Sequence, residues 1–410
     1  MPDSGRASAG SGQADVADAG VAGLPAAGSP LAAADADVAE VGVADVLAAQ
    51  SRLRPYLPVT PMHHAERFGV MLKLENLQRT GSYKVRGALN AMLAARERGD
   101  QRPVICASAG NHAQGVAWAA YRLGVQAITV MPHGAPENKV AGVAHWGATV
   151  RQHGDSYDEA FAFARQLAEQ NGYRFLSAFD DPDVIAGQGT LGMEIAPYTP
   201  DVVIVPIGGG GLASGVALAL KSQGVRVVGA QVEGVDSMAR ALHGDLRPLD
   251  PARTLADGVR VKVPGFITRR LCARLLDDVV IVREAELRET LVRLALEENL
   301  IAEGAGALAL AAGRRVAGKR KCAVVSGGNI DALTLAALLS EVRPRAPRKP
   351  RRRGAGVAAG HRSDAADPAL AHKAAVAKRR PAATLSSHPP HSAPPAPTAP
   401  QPVSEEEYTW

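Results

Sequence analysis

Along the middle of this 410-residue chain, short β-branched or apolar runs alternate with stretches of helical periodicity. The runs occupy residues 104–107, 127–131, 202–207, 226–231, 279–282 and 322–326. Between them lie segments such as 156–169 and 286–299. In the second of these, Leu287, Leu291, Leu294 and Ala295 fall on one helical face. That alternation predicts an α/β fold in which a largely parallel sheet is covered by helices. Aromatic residues make up only 4% of the chain, so Ala, Val and Leu must build most of the core.

The pattern bounds a folded unit at residues 45–343. Residues 1–44 are Ala, Gly, Asp and Ser with almost no large apolar side chain. They cannot bury enough surface to offset chain entropy and are expected to be disordered. From 344 to 410 the composition turns to Pro, Arg, Ala and Ser, in RPRAPRKPRRR and then HPPHSAPPAPTAPQP, which predicts a disordered tail. Residues 344–380 alone carry eleven Arg or Lys against two Asp, whereas the whole chain is net +5, so the remainder is net negative. A basic folded surface of the kind that binds nucleic acid is therefore not expected.

Cys106, Cys272 and Cys322 are widely spaced, without a CxxC or metal-ligand pattern, which suits a reducing compartment. No basic leader precedes an apolar stretch, and no apolar run approaches the length of a membrane span. A soluble cytoplasmic protein without a membrane partner is the expectation.

Five segments carry candidate chemistry. In Thr80-Gly81-Ser82-Tyr83-Lys84-Val85-Arg86-Gly87-Ala88 a turn enters the helical stretch 88–96. Ser82 is the expected N-cap, which puts Lys84 in the first turn, where free N–H groups and the helix dipole lower its pKa. A lysine so placed is poised for Schiff-base chemistry, although a lone lysine is usually a solvated surface residue. In Cys106-Ala107-Ser108-Ala109-Gly110-Asn111-His112 a strand end passes through small residues into a helix. An anion could approach the backbone N–H groups there, with Asn111 as a polar contact, but an ordinary strand-to-helix turn explains the segment as well.

Gly208-Gly209-Gly210-Gly211-Leu212-Ala213 follows the strand VVIVPI and opens a helix, permitting a nest of N–H groups around a phosphate. It also satisfies G-x-G-x-x-A, and Glu233 follows the next strand, so a dinucleotide-binding unit stays open. Ser326-Gly327-Gly328-Asn329 ends the last strand-like run, where a hydroxyl can meet a heteroaromatic ring nitrogen, although alone it reads as a turn. Finally, Glu303 lies among small residues ahead of an Ala/Leu helix, and by itself reads as a capping carboxylate.

Taken in order, LKLENLQRTGSYKVRGA, SAGNHAQGVA, VMPHGAPENKV, VIAGQGT, VPIGGGGLASG and SGGNID resemble the signature blocks of the threonine dehydratases. These belong, with serine racemase and cysteine synthase, to the fold-type II pyridoxal-phosphate (PLP) enzymes. The resemblance spans about residues 50–335. It implies a tryptophan synthase β-like fold of two parallel-sheet-rich domains with the cofactor in the cleft between them. The large domain would comprise 45–103 and 181–343, and the small domain 104–180.

The resemblance further implies that Lys84 carries the cofactor as a Schiff base. Gly208, Gly209, Gly210, Gly211 and Leu212 would cradle its phosphate, Asn111 would bond the ring's 3′ oxygen, Ser326 would face the pyridine nitrogen, and Glu303 would lie near the ring. Ser108, Ala109, Gly110, Asn111 and His112 would grip the substrate carboxylate, and no metal is expected. Tyr83 stands where Phe is common and Gly304 where Pro is frequent. The Pro/Arg tail stands where many threonine dehydratases continue into a regulatory ACT module, so no such module is expected.

The implied activity is that of a threonine ammonia-lyase: β-elimination of water from L-threonine or L-serine to give 2-oxobutyrate or pyruvate and ammonia. A homo-oligomer is expected. Three other readings stay open: a serine or hydroxyaspartate racemase/dehydratase, an NAD-binding dehydrogenase, and a non-catalytic PLP-binding interaction protein. The dehydrogenase explains only the glycine segment. Against racemisation, Ala109 stands where the racemases carry a serine whose hydroxyl can return a proton to the opposite face of Cα. Gln231 likewise replaces the first carboxylate of their metal site, leaving Asp236 without an evident partner.

Overall fold

The computed structural model describes residues 41–250 and 252–341. The two expected disordered extensions lie outside these residues, apart from 41–44. There the first helix already begins at Val43, two residues ahead of the expected boundary, because Val41 and Val46 are buried and Asp45 accepts from the Gly42 N–H at 2.8 Å.

Helix α1 (Val43–Leu53) precedes a hairpin of β1 (Met62–Ala65) and β2 (Val70–Leu74), and α2 (Lys84–Glu97) follows. Next come β3 (Val104–Ala107), α3 (Asn111–Leu123), β4 (Ala127–Met131), α4 (Glu137–Ala144), β5 (Thr149–Gln152), α5 (Tyr157–Asn171) and the short β6 (Arg174–Phe175). The chain continues through α6 (Pro182–Ile195), β7 (Val202–Pro206), α7 (Gly211–Leu220), β8 (Arg226–Val232), α8 (Ser237–Leu242) and α9 (Phe266–Leu275). It ends with β9 (Asp278–Val282), α10 (Glu284–Glu298), α11 (Gly304–Ala312), β10 (Lys321–Val325) and α12 (Ala332–Ser340).

The strands form a six-stranded sheet, ordered β1-β2-β10-β7-β8-β9, and a four-stranded sheet, ordered β5-β4-β3-β6. Only the β1–β2 pair is antiparallel. Parallel strands need helical crossovers, and those helices bury both sheet faces. This is why β4 (AITVM) and β7 (VVIVP) are buried at every position and apolar at all but Thr129. In β3, Val104 and Cys106 pack towards α2 and α3, whereas Ile105 and Ala107 pack towards α5. The larger sheet is covered by α10 and α11 on one face and by α6, α7 and α9 on the other.

Helix α2 joins the two layers, since Val85, Ala88, Leu89 and Met92 belong to the core of the smaller sheet while α6 lies along its other side. The α2–α6 approach is close enough that a Cβ on Gly187 would come within 2.7 Å of Arg86 O and Gly87 Cα. The glycines of VIAGQGT thus serve packing. Parallel sheets gather strand carboxyl ends along one edge, and helices that follow those strands start there. The starts of α3 and α7 and the turn after β10 are such junctions, and the start of α11, which follows α10, is held beside that turn by Glu303 N donating to Gly327 O at 3.1 Å.

Candidate active site

Lys84 is the first residue of α2. Ser82 does not cap it: Tyr83 occupies the N-cap position, and the Ser82 hydroxyl is buried without a partner. The reason is that Ser82 is drawn into an antiparallel bridge with Gly327. Tyr83 N donates to Ser326 O at 3.1 Å and Gly328 N to Gly81 O at 2.9 Å, so the lysine turn and the serine turn lie side by side. Lys84 Nζ donates to Ala178 O at 2.7 Å. Burial pushes its pKa down to about 8, with the Glu303 carboxylate pulling the other way. The direction is the one the helix start suggested, but desolvation is the main cause.

Ser326 is buried, and its hydroxyl donates to Ala305 O at 3.3 Å. Glu303 sits at the N-cap position of α11 but caps nothing. Its carboxylate instead accepts from Asn111 Nδ2 at 2.7 Å, joining the start of α3 to the start of α11. Burial, reinforced by Asp257, pushes the Glu303 pKa up to about 7 against the Asn111 hydrogen bond, Lys139 and Lys84.

His112 is buried, and burial together with nearby Lys84 pushes its pKa down to about 3. The ring is neutral, and because Leu176 O can only accept, Nε2 carries the proton and donates to it at 3.1 Å. Nδ1 is left as a buried, unpartnered acceptor. Ser108, Ala109 and Gly110 line the end of β3, half-buried, with Gly110 N donating to Ser108 Oγ at 3.1 Å.

The loop Gly208–Gly211 leads from β7 into α7, and Gly210 has φ +100°, a conformation glycine adopts without strain. Among the described residues, the Gly209, Gly210, Gly211 and Leu212 amides donate to no protein acceptor, so a row of free N–H groups meets the α7 N-terminus. Phe179 lies against Gly209 and Gly211. Thr268 Oγ1 donates to Gly209 O at 2.6 Å, while Asp180 accepts from Phe266 N at 2.8 Å and Thr268 N at 3.1 Å.

The segment Ser177–Asp180, which sequence reasoning did not single out, therefore touches both Lys84 and the glycine loop. Nothing in its composition marks it, because its contribution at Ala178 is a backbone carbonyl. Gln231 is buried, bonding Ile207 O, Val235 O and Ala239 N, so its amide is committed to structure. A surface depression at the far ends of α2 and α3, lined by Arg96, Arg102 and Arg174 among others, shares no residue with this cluster.

The profile of a family described as pyridoxal-phosphate dependent enzyme matches residues 53–327. The chain is 41% identical over 303 residues to the L-threonine dehydratase catabolic TdcB of Escherichia coli (strain K12), a match covering 70% of this chain and 92% of that protein. Among solved structures, the processed form of threonine deaminase isoform 2 from Solanum lycopersicum is similar at TM-score 0.68 and 36% identity, covering 73% of this chain and 91% of that one. Maize serine racemase is similar at TM-score 0.69 and 29% identity, covering 73% and 97%. The two backbones fit equally well, so residues and not topology must separate deaminase from racemase.

Proposed function

Since this chain belongs to the family of pyridoxal-phosphate dependent enzymes, we propose that the cluster around Lys84 holds that cofactor and deaminates L-threonine, with L-serine as a second substrate. Water is lost from the hydroxy amino acid to give an enamine, and one water is taken up as the tautomeric imine hydrolyses to a 2-oxo acid and ammonia: 2-oxobutyrate from threonine, pyruvate from serine. The observation that carries this reading is that a desolvated lysine amine and a row of unpaired amides at a helix N-terminus are bridged by one segment, Ser177–Asp180.

The residues present fit the cofactor. The amides of Gly209 to Leu212 suit a phosphate, the Lys84 amine suits an aldehyde, and the buried hydroxyls of Ser82 and Ser326 line the turns between them. When bound, pyridoxal phosphate supplies an electron sink for the carbanion formed at Cα. Lys84 would anchor the cofactor and, when free of it, would take the Cα proton on Nζ; its lowered pKa would keep that nitrogen available as a base.

Ser326 would turn its hydroxyl proton from Ala305 O to the ring nitrogen, which would leave that nitrogen unprotonated where a carboxylate would hold a proton on it. Asn111 presents its Nδ2 donor at the ring's 3′ oxygen, and Glu303 stands behind it. The segment Ser108 to His112 would hold the substrate carboxylate through the N–H groups of Asn111 and His112 at the start of α3, and the neutral His112 ring adds no charge to that grip.

The two sheets then correspond to a large domain of 45–103 and 181–343 and a small domain of 104–180, with α2 shared in packing between them. All three cysteines are buried and unpaired, in keeping with a cytoplasmic location, and among the described residues no helix is long and apolar enough to cross a membrane. Helix α12 supports a homo-oligomer, because it is largely apolar yet outward-facing, with Leu333 81% exposed. Racemisation needs a second acid or base on the opposite face of Cα, and Ala109 supplies none.

Borohydride reduction followed by peptide mapping tests the reading, the expected adduct being on Lys84 and the expected product from threonine being 2-oxobutyrate. Lys84→Ala should lose both. An adduct on another lysine, or a D-isomer accumulating as fast as the 2-oxo acid, would overturn it.

A further inference from the structure

We propose that Asn329 is a positioning residue that determines which end of the Asn111 amide faces the cofactor; this rests on the reading above that Asn111 meets the ring's 3′ oxygen. Thr80 O is a backbone carbonyl and can only accept, so the Asn329 atom 2.9 Å from it is the amide nitrogen. The second hydrogen of that nitrogen meets Asn111 at 2.8 Å, and the Asn111 atom receiving it must be Oδ1. Asn111 Nδ2 is thereby turned the other way, where it donates to Glu303 Oε1 at 2.7 Å. Reversing the Asn111 amide would set NH2 against NH2 on one side and oxygen against carboxylate oxygen on the other.

Backbone geometry commits Asn329 to this place. Gly81 has φ +69°, and a Cβ there would run into Asn329 Oδ1, so the lysine turn is shaped to admit the asparagine. Gly328 N, one residue earlier, donates to Gly81 O, fixing the same register. One side chain thus ties the turn before Lys84, the turn after Ser326 and the start of α3, which belongs to the other sheet. A donor facing the 3′ oxygen favours its anionic form, whereas an acceptor there favours the protonated, neutral form. Through Asn111, Asn329 selects between them.

The experiment uses full-length protein loaded with pyridoxal phosphate and compares Asn329→Asp with Asn329→Ala, reading cofactor Kd and the ratio of visible to near-ultraviolet absorbance. An aspartate can only accept. It should recruit Asn111 Nδ2, turn Oδ1 towards the ring oxygen, shift absorbance from the visible to the near-ultraviolet band and raise Kd about tenfold. Alanine removes the pin without inverting it and should have the smaller effect on both. In an Asn111→Ala background Asn329→Asp should leave the spectrum unchanged, because nothing remains to be turned.

A spectrum unaffected by Asn329→Asp, or a shift that persists undiminished without Asn111, overturns the proposal. If Asn329→Asp does not fold, the smaller shift of Asn329→Ala is read instead: it must be present and must vanish in the Asn111→Ala background, and its absence or its persistence there overturns the idea. Failure of the unmodified protein to load cofactor on Lys84 would instead count against the functional reading itself.

Discussion

Arg86 grips both oxygens of Glu75, Nε donating to Oε2 at 2.7 Å and Nη2 to Oε1 at 2.8 Å. The same guanidinium reaches Glu194 at 2.7 and 3.0 Å, and Lys73 Nζ closes the set on Glu194 Oε2 at 2.6 Å. Two cations and two carboxylates balance in an almost wholly buried cluster two residues beyond Lys84, fastening the first turn of α2 to β2 and α6.

Removing one partner of such a cluster leaves uncompensated buried charge. Arg86→Met is expected to lower stability by about 3–5 kcal/mol, measured by urea unfolding of cofactor-free protein. A loss below about 1 kcal/mol would show that the carboxylates find other partners. Burial raises the Glu194 pKa, but Arg86 and Lys73 together hold it below its ordinary value. Its contribution is therefore present above the ordinary glutamate pKa of 4.5 and lost as pH falls through the lowered value, so Arg86→Met should flatten the acid limb of the stability profile.

The form of an amine that attacks an aldehyde is the neutral one, and Lys84 titrates at about 8 where 10.5 is ordinary. The rate at which cofactor-free protein takes up pyridoxal phosphate should rise through about pH 8 and then level off. Glu303 opposes the downward shift, so Glu303→Gln should move the midpoint to lower pH. Stopped-flow absorbance measures it, and a midpoint at the ordinary lysine value would contradict the buried geometry.

Glu303 makes a second prediction, on stability. With a folded-state pKa of about 7 against an ordinary 4.5, the folded chain keeps a proton that the unfolded chain releases, so stability declines as pH climbs between those values. Glu303→Gln removes the decline while retaining an acceptor for Asn111. The variant's melting temperature minus that of the parent, both cofactor-free, should grow more positive across this window. A constant difference would place the Glu303 proton elsewhere.

At Gly210 a Cβ would come within 2.6 Å of Met238 Cε and 2.8 Å of Thr268 Cβ, in a backbone conformation that disfavours any side chain. Gly210→Ala should lower the stability of cofactor-free protein by about 1–2 kcal/mol and also weaken cofactor binding. Thermal melts and absorbance titration separate the two effects. If only the affinity falls, the glycine serves the phosphate alone.

The strands at 104–107 and 127–131 were legible because both of their faces are buried, which writes runs that are apolar except for the β-branched Thr129. β5 (TVRQ) is largely exposed and β6 has only two residues, so neither leaves such a trace. The helix after Ser82 begins at Lys84, ahead of the apolar periodicity, since its first turn is set by Gly327 and Ser326 from the far end of the chain. The site motifs were legible one by one from their glycines and polar residues. Their partners were not: Ala178 acts through a backbone carbonyl, Asp180 caps a helix 86 residues away, and Glu303 meets Asn111 across 192 residues. Arg86 and Glu75 stood inside recognised blocks, but no local pattern announces an ion pair between the turn after β2 and helix α2.

The last strand, β10, lies between β2 and β7, and its following turn supplies Ser326 and Gly327 to the lysine turn. During synthesis the hairpin made first must therefore wait with an open edge until almost the whole folded region has left the ribosome. Until then β7 has no neighbour on that side, and Lys84 stands beside a half-built wall. Cofactor capture should consequently follow the emergence of β10, and a chain cut short before β10 would expose two unpaired strand edges to its neighbours instead of forming a smaller working enzyme.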